Sequence, residues 1–370
     1  MKNDFKILFA GGGTGGHLFS GIAVAEEIRR RFPEARTLFV GTTYGLEKEI
    51  VPENGFKLQF IQATPLKGSG LLARIKSLLR LPRAYLQSKK ILKEFQPDVV
   101  VGIGGYASGP MTLAAHFSKI PTAVIEQNSI PGFTNRQLER FADRVFIAFQ
   151  GAAKYFNPKK VRFTGNPTRR LESPGKVSKD PGRFHLFVLG GSQGAHALNA
   201  AMRDALPLLQ EKKDRLRIVH QTGPSDFAEI QAAYQKGGFA AEVFSFRPEL
   251  GDYYAQADLM LCRAGAGTIT EVQNKGVPSI LIPYPFAADD HQLHNAKEMV
   301  ESEGAEMILN RDLSGPKIAE RLLYYMEHPE ELRAMREKTG ALAKPRAAEE
   351  VLEVLLSEIR SNANALPERN

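Results

Sequence analysis

Short, nearly unbroken apolar runs alternate along this chain with longer stretches in which apolar residues return every three or four positions. The runs fall at residues 5–10, 37–40, 58–61, 99–103, 123–125 and 145–147, then at 184–189, 217–220, 259–261 and 279–282. A strand that is apolar throughout must be covered on both faces. Such strands alternating with helical patterns therefore predict parallel sheets between layers of helices. The two series are separated by residues 166–183, where Pro167, Pro174, Gly175, Pro181 and Gly182 cluster among polar residues. That composition is expected of an interdomain linker. After Pro345, residues 346–359 carry the spacing of one last amphipathic helix, which periodicity alone does not assign to either half.

Each half opens in the same way. FKILFAGGGTGGH, from Phe5 to His17, aligns without gaps to FHLFVLGGSQGAH, from Phe184 to His196. The matching positions include Phe5 and Phe184, Gly11 and Gly190, Gly12 and Gly191, Gly15 and Gly194, and His17 and His196. Both segments read as a buried strand, a glycine turn and a helix start, the opening unit of a doubly wound domain. Two such domains are expected to bind ligands at the carboxyl ends of their strands, with a cleft between them.

The glycine turns narrow the chemistry. Gly11, Gly13 and Gly16 spell G-x-G-x-x-G, but the second predicted strand ends Phe39-Val40-Gly41-Thr42-Thr43, without the carboxylate that a dinucleotide site needs for its ribose. A G-x-x-x-x-G-K-[ST] phosphate loop is also absent. What the turn offers is backbone N–H groups at a helix start, aimed at an oxygen-rich ligand. His17 beside it can accept a proton near neutral pH, or can simply serve the turn. The matching His196 fits either role.

In the second half, residues 263–271 follow a predicted strand and open a helix, with small residues that let a diphosphate approach the backbone. Glu271 is placed to bind a pair of ribose hydroxyls, the plainer alternative being an acidic residue that favours a helix amino terminus. Residues 283–295 form a polar loop suited to sugar hydroxyls. Its His291 and His294 lack a partnering carboxylate motif, so no metal site is predicted. In the first half, residues 102–110 repeat the strand–glycine–helix pattern, and Glu126-Gln127-Asn128 directly follows a predicted strand. Both bring polar groups to the same sheet edge.

Composition and charge change this picture in three respects. There is one cysteine, Cys262, which excludes a disulfide framework and a Cys-based zinc site and reads as a small buried hydrophobe in a reducing cytoplasm. No apolar run reaches the 18 or so residues of a membrane span, and Met1-Lys2-Asn3-Asp4 shows no signal-peptide pattern. The net charge of +8 calls for an anionic partner. The charge is concentrated between Asn54 and Lys93, which contain no acidic residue, and it lacks the aromatic interleaving of a nucleic-acid surface. Apolar residues recur there at helical spacing through Leu79, and Pro82 interrupts the pattern. Such a segment is either a surface helix with its apolar face in the core or one that lies on an anionic membrane.

Taken in order, GGGTGGH, GIGGYASGP, Glu126-Gln127-Asn128, GNPTR (residues 165–169), GGSQGA, CRAGAGTITE and DDHQLHNA span nearly the whole chain. On these motifs the sequence resembles the bacterial MurG family, UDP-N-acetylglucosamine:undecaprenyl-pyrophosphoryl-N-acetylmuramoyl-pentapeptide N-acetylglucosaminyltransferases. The resemblance implies a GT-B fold of two Rossmann-like domains. Residues 1–165 with 344–370 would form the acceptor and membrane-facing domain, and residues 166–343 the UDP-sugar domain. It implies Ser192 and Gln193 at the donor diphosphate, with helix-start amides from Ala266, Gly267 and Thr268 followed by Ile269 and Thr270. Glu271 would hold the ribose, Phe246 and the backbone of Arg247 would lie by the uracil, and Gln292 and Asn295 would face the sugar. Thr14, Gly15, Gly16, Asn128 and Arg169 would complete the donor site. The acceptor is expected near His17, Tyr106 and Glu126.

Leu72, Ile75, Leu79 and Arg80 match the family's membrane-facing region, which implies peripheral attachment to the cytoplasmic face of the cell membrane. No cofactor is implied, since UDP-N-acetylglucosamine is a substrate, and the absence of Asp-x-Asp argues against a protein-held metal. The implied reaction inverts the anomeric centre to give a β-1,4 link in the peptidoglycan precursor, with His17 or Glu126 as base. A UDP-N-acetylglucosamine 2-epimerase of similar fold and a non-catalytic nucleotide-binding module at the membrane are the alternatives.

Overall fold

The run Ile7-Leu8-Phe9-Ala10 is completely buried, as its unbroken apolar character requires. Ile7 and Phe9 enter one hydrophobic cluster and Leu8 and Ala10 another, on opposite faces of the sheet. The computed structural model describes residues 4–63, 71–169, 171, 175 and 179–365, with side chains at all of these except 71–80 and 360–365. The chain forms two compact units, residues 1–169 with 346–370, and residues 170–345.

The first unit begins β1 (Lys6–Gly11), α1 (Gly15–Arg31), β2 (Arg36–Gly41), α2 (Glu47–Glu53), β3 (Lys57–Phe60) and α3 (Leu71–Phe95). It continues β4 (Val99–Gly104), α4 (Ser108–Phe117), β5 (Thr122–Glu126), α5 (Phe133–Leu138), β6 (Arg144–Ile147) and β7 (Val161–Phe163). The second unit runs β8 (Phe184–Leu189), α6 (His196–Ala205), β9 (Leu216–Gln221), α7 (Phe227–Gly237), β10 (Ala240–Phe244) and α8 (Gly251–Gln256). It then adds β11 (Leu259–Cys262), α9 (Ala266–Lys275), β12 (Ser279–Leu281), α10 (His291–Glu301), β13 (Glu306–Met307), α11 (Gly315–Glu327) and α12 (Pro329–Ala341). The last element described, α13 (Ala347–Ala365), belongs to the first unit.

The seven-stranded sheet has the order β3-β2-β1-β4-β5-β6-β7 and the six-stranded sheet β10-β9-β8-β11-β12-β13. All of these pairings are parallel. Each sheet grows outward from its first strand in both directions, so the winding reverses beside β1 and beside β8. In open parallel sheets that reversal parts the loops at the carboxyl edge and leaves room for a ligand.

The first unit's two clusters explain its layers. Ile7 and Phe9 pack with Ile22, Ala25 and Ile28 of α1 and with Val351, Leu352, Leu355 and Leu356 of α13. Leu8 and Ala10 pack with Ala84, Ile91 and Leu92 of α3 and with Met111, Ala114 and Ala115 of α4. The final helix thus supplies part of the core under β1, and burying each of its leucines is worth about 1.5–3 kcal/mol. Arg144 also pairs with Glu358 at 2.7 Å, but both partners are partly exposed and such a pair adds little. In the second unit Leu186 and Val188 pack with Leu198 and Met202 of α6 and with Ile318 and Leu322 of α11.

Three strands, β7, β10 and β13, lie outside the apolar runs. β7 and β13 close the edges of the two sheets and β10 closes the other edge of the second. An edge strand is covered less completely, and these are mostly half-buried or exposed, so their sequences lack an unbroken apolar run. Pro82 does not end α3, which runs through it to Phe95. The proline is exposed, whereas Ala84, Ser88, Ile91 and Leu92 beyond it are buried, and that packing outweighs one lost backbone hydrogen bond. The side chains of Leu72, Ile75, Leu79 and Arg80, and all of Pro174, lie outside the described residues.

Leu355→Ala is expected to destabilise the first unit by about 2–5 kcal/mol, because the side chain is completely buried beneath β1. Guanidinium unfolding, with hydrogen exchange of the β1 and α1 amides, measures this; unchanged protection would remove α13 from the core.

Candidate active site

At the carboxyl end of β1 the chain turns through Gly11, Gly12 and Gly13, all at positive φ. A Cβ on Gly11 would stand 2.2 Å from the Gly104 carbonyl oxygen, and one on Gly105 would stand 2.3 Å from that of Gly12. Two backbones therefore meet where side chains cannot fit, and the Gly12 N–H donates to the Gly104 carbonyl at 3.1 Å. The half-buried His17 ring lies against Gly104, within about 3 Å of the place a Cβ would take there. Its Nδ1 is 3.2 Å from the Gly12 carbonyl oxygen and 3.2 Å from the Thr14 hydroxyl. Thr14 and Gly16 are exposed at the start of α1, whose first turn has no acidic side chain. Tyr106, 40% exposed, follows the second glycine pair.

The loop after β5 is anchored to the same region. Gln127 is buried and donates to the Ser20 hydroxyl at 2.8 Å and to the Ile103 carbonyl at 3.1 Å. Ser20 in turn donates to the His17 carbonyl at 2.8 Å. Glu126 is fully buried, and its oxygens accept from the Asn128 N–H at 2.9 Å, the Gly132 N–H at 3.1 Å and the Asn135 amide at 2.9 Å. Burial pushes its carboxyl up to about 7, outweighing these donors, which act to lower it. The structure thus brings together Thr14, Gly15, Gly16 and His17, Tyr106, and Glu126 with Asn128, at the carboxyl ends of the adjacent strands β1, β4 and β5. Arg169 stands beyond β7, within electrostatic reach of Glu26 in the middle of α1.

The second unit builds its edge differently. A Cβ on Gly194 would lie 2.0 Å from the Thr222 carbonyl oxygen, so this glycine loop rests on the loop after β9. Ser192 and Gln193 are exposed. Gln221 ties three loops together, donating to the Gly191 carbonyl at 3.1 Å and accepting the Arg247 N–H at 3.1 Å. The Arg247 guanidinium turns to Glu242, 3.0 Å away, and to the Tyr253 hydroxyl, while Phe246 is 54% exposed. His196 is exposed and contacts Asp226 through Nδ1 at 3.1 Å, away from its glycine loop. Beneath it Asn199 bonds Asp226 and His220, and His220 bonds Tyr234. Burial pushes His220 down to about 3, so it stays neutral in this network.

At the start of α9, a Cβ on Gly265 or Gly267 would meet nothing within 4 Å, and the first turn has no acidic residue. Open backbone and an uncompensated helix dipole suit an anion there. The side chains of Ile269 and Thr270 are buried, the Thr270 hydroxyl donating to the Ala266 carbonyl at 2.8 Å, so only their backbones reach this face. Glu271 accepts from the Tyr254 hydroxyl at 2.7 Å. Cys262, at the end of β11, is buried, and burial with the nearby Glu271 raises its thiol to about 12. Gln292 accepts the Tyr284 N–H at 3.0 Å. Asn295 is wholly buried, with its amide 3.3 Å from the Ala264 carbonyl, and so braces the loop before α9. Among the described residues no group of three or more His, Cys, Asp or Glu side chains is placed to hold a metal ion, and no helix is long and apolar enough to cross a membrane.

Sequence patterning misses the roles of Glu47, Gln127 and Gln221. Each is a polar side chain that bonds at least one group far along the chain, and no local pattern marks such a residue.

The pattern of the glycosyltransferase family 28 N-terminal domain matches residues 7–147, and that of its C-terminal domain residues 185–351. The chain is 47% identical over 357 residues to the UDP-N-acetylglucosamine--N-acetylmuramyl-(pentapeptide) pyrophosphoryl-undecaprenol N-acetylglucosamine transferase of Syntrophus aciditrophicus (strain SB), covering 96% of this chain and 99% of that one. The enzyme of the same name from Geobacter sulfurreducens is 46% identical over 360 residues, covering 96% and 99%. Among solved structures, Acinetobacter baumannii MurG matches with a TM-score of 0.79 at 28% identity, over 95% of this chain and 99% of that one. A UDP-GlcNAc 2-epimerase from Neisseria meningitidis bound to UDP-GlcNAc matches at 0.66 and 14% identity, over 95% and 100%, a likeness of fold alone.

Burial of Glu126 has a consequence for stability. Its ordinary value is 4.5, so the folded protein holds this proton more tightly than the unfolded chain does. The group therefore favours folding below about pH 4, and that contribution is lost as pH rises through about 7. Denaturant unfolding between about pH 5 and pH 8 is expected to show stability falling across this window, by up to about 1.4 kcal/mol per pH unit below 7, with the slope flattened in Glu126→Gln. An equal slope in both proteins would contradict the assignment.

Proposed function

Because the chain belongs to the family of UDP-N-acetylglucosamine–N-acetylmuramyl-(pentapeptide) pyrophosphoryl-undecaprenol N-acetylglucosamine transferases, we infer that it transfers N-acetylglucosamine from UDP-N-acetylglucosamine to the lipid-linked N-acetylmuramoyl-pentapeptide, completing the peptidoglycan precursor. The near full-length identity carries this reading, and its two parallel sheets have the GT-B architecture.

The second unit holds the donor. Ser192, Gln193 and the amides at Ala266, Gly267 and Thr268 receive the diphosphate, and the α9 dipole stabilises the charge that grows on it as UDP leaves. Glu271 takes the ribose hydroxyls, the Phe246 and Arg247 backbone borders the uracil, and Gln292 serves the sugar, while the buried Asn295 acts from behind by bracing the loop before α9. The first unit takes the acceptor, by way of Tyr106 and His17. The acceptor's 4-hydroxyl oxygen bonds to the anomeric carbon from the face opposite UDP, the bond to UDP breaks with its electron pair, and a base takes the hydroxyl proton. The configuration inverts in this single displacement, and positive charge develops on the sugar ring as it does in glycoside hydrolysis.

His17 suits the base better than Glu126. Glu126 is wholly buried and both its oxygens already accept from neighbouring N–H groups, whereas His17 is half-buried beside an exposed helix start. The membrane-facing side is assigned to α3. Beyond Leu72, Ile75, Leu79 and Arg80, this helix continues with exposed Leu86, Lys89, Lys90 and Lys93, an apolar and basic surface suited to anionic lipid at the cytoplasmic face.

Incubation with radiolabelled UDP-N-acetylglucosamine, with and without the lipid acceptor, is expected to label lipid only when acceptor is present. His17→Ala is expected to lower that turnover by about 100-fold while donor binding persists. Isomerisation without acceptor would point to an epimerase instead, and near-normal turnover in His17→Ala would remove His17 as base. In sedimentation with vesicles, binding to anionic phospholipid is expected to exceed binding to neutral lipid and to weaken with salt. Equal binding of wild type and Leu72→Glu/Leu79→Glu would take the membrane surface away from α3.

A further inference from the structure

His17 and Glu47 are joined by a single peptide group. His17 Nδ1 lies 3.2 Å from the Gly12 carbonyl oxygen. A carbonyl can only accept, so this contact is a hydrogen bond when the ring proton is on Nδ1, with the Thr14 hydroxyl oxygen 3.2 Å away as a second acceptor; the neutral ring then carries its lone pair on Nε2. The Gly12 carbonyl and the Gly13 N–H are the two ends of one peptide unit. That N–H donates to Glu47 Oε2 at 2.9 Å. Glu47 is 1% exposed, and its Oε1 accepts from the Thr42 N–H at 2.8 Å and the Thr42 hydroxyl at 2.9 Å. Three donors facing two oxygens match a carboxylate. The sequence of groups is imidazole N–H, carbonyl, amide N–H, carboxylate.

We propose that Glu47 is a positioning residue for the transfer reaction, acting through the Gly12–Gly13 peptide to hold His17 in the Nδ1-protonated tautomer and to raise the basicity of Nε2. A negative charge on the amide end polarises the peptide and makes its carbonyl a stronger acceptor. The stronger acceptor stabilises the Nδ1–H and the imidazolium that forms when Nε2 takes a proton. A buried carboxylate that orients a catalytic histidine directly does the same work; here a peptide lies between.

The local glycines are arranged for this link. A Cβ on Gly12 would stand 2.5 Å from the Glu47 carboxyl carbon, one on Gly45 2.0 Å from Oε2, and one on Gly41 2.5 Å from Cγ. Gly12 at φ +148 and Gly13 at φ +88 let the peptide point its oxygen to His17 and its N–H to Glu47. The second unit serves as an internal comparison. There the Gly191 carbonyl accepts from the Gln221 amide rather than from a histidine, and His196 turns away to Asp226. The motif alone therefore does not place the ring. Besides Glu47 on α2, Tyr44 before that helix, Tyr106 after β4 and Glu126 at the end of β5 are ionisable groups at this edge, and the Glu126 carboxyl is enclosed by its own donors.

This inference rests on His17 as the base, so the test reads the ring as well as the reaction. Glu47→Gln in the full chain, with histidine labelled in 15N and His17 assigned by His17→Ala, is expected to lose the Nδ1–H preference and to titrate at lower pH. In lipid-acceptor turnover, kcat should fall about tenfold with the donor KM within about twofold, and the acid limb of kcat/KM should move to lower pH. Glu47→Asp keeps the charge one methylene further back and is expected to lie between the two, which keeps the test open if the glutamine variant does not fold. A His17 tautomer and titration identical to wild type in either folded variant would overturn the proposal, even if activity falls. Undiminished turnover in His17→Ala would instead overturn the base reading, while the ring titration still reports on Glu47.

Discussion

Where β1 and β4 end side by side, the backbones of Gly11, Gly12, Gly104 and Gly105 lie so close that a single Cβ would occupy the space of a carbonyl oxygen. The same close approach recurs where Gly194 meets Thr222 and Gly223 meets Gln193. Much of the proposed chemistry depends on this packing. It brings peptide groups to the carboxyl edge of each sheet without side chains to screen them, and it sets His17 against Gly104. Strands buried on both faces make the packing possible, because they hold the loop ends in register while the helices cover the faces of the sheet.

The two halves share an opening motif but not an environment. In the first unit the glycine loop rests on the loop after β4, and in the second on the loop after β9, the opposite neighbour in the winding. The polar residues behind each loop differ accordingly. Glu47 and Gln127 brace the first, while Gln221, Asn199 and the neutral His220 brace the second. A buried polar group left without partners costs on the order of 1–3 kcal/mol, so these side chains are held to particular bonds, and the bonds in turn hold the loops.

The same constraint separates residues that support the site from those that can meet a ligand. Glu126 and Asn295 stand within motifs that look like binding loops, yet both are wholly buried and spend their polar atoms on neighbouring chain. Thr14 at the start of α1, and Ser192 and Gln193 in the turn before α6, are exposed at the carboxyl edges of their sheets.

Much of this architecture is legible in the order of residues alone. Strand after strand of unbroken apolar residues dictates two parallel sheets, and glycine turns before helix starts dictate where ligands approach, because those patterns act over two to four residues of chain. The edge strands β7, β10 and β13 leave no such mark, since partial cover permits a broken run, and α3 continues through Pro82 because packing beyond it outweighs one missing bond. The fold alone decided which neighbour each glycine loop leans on, that α13 completes the core beneath β1, and that Glu47 reaches Gly13 across 34 residues of chain. Those outcomes depend on which distant groups burial forces together, and a pattern read along the chain carries no record of that.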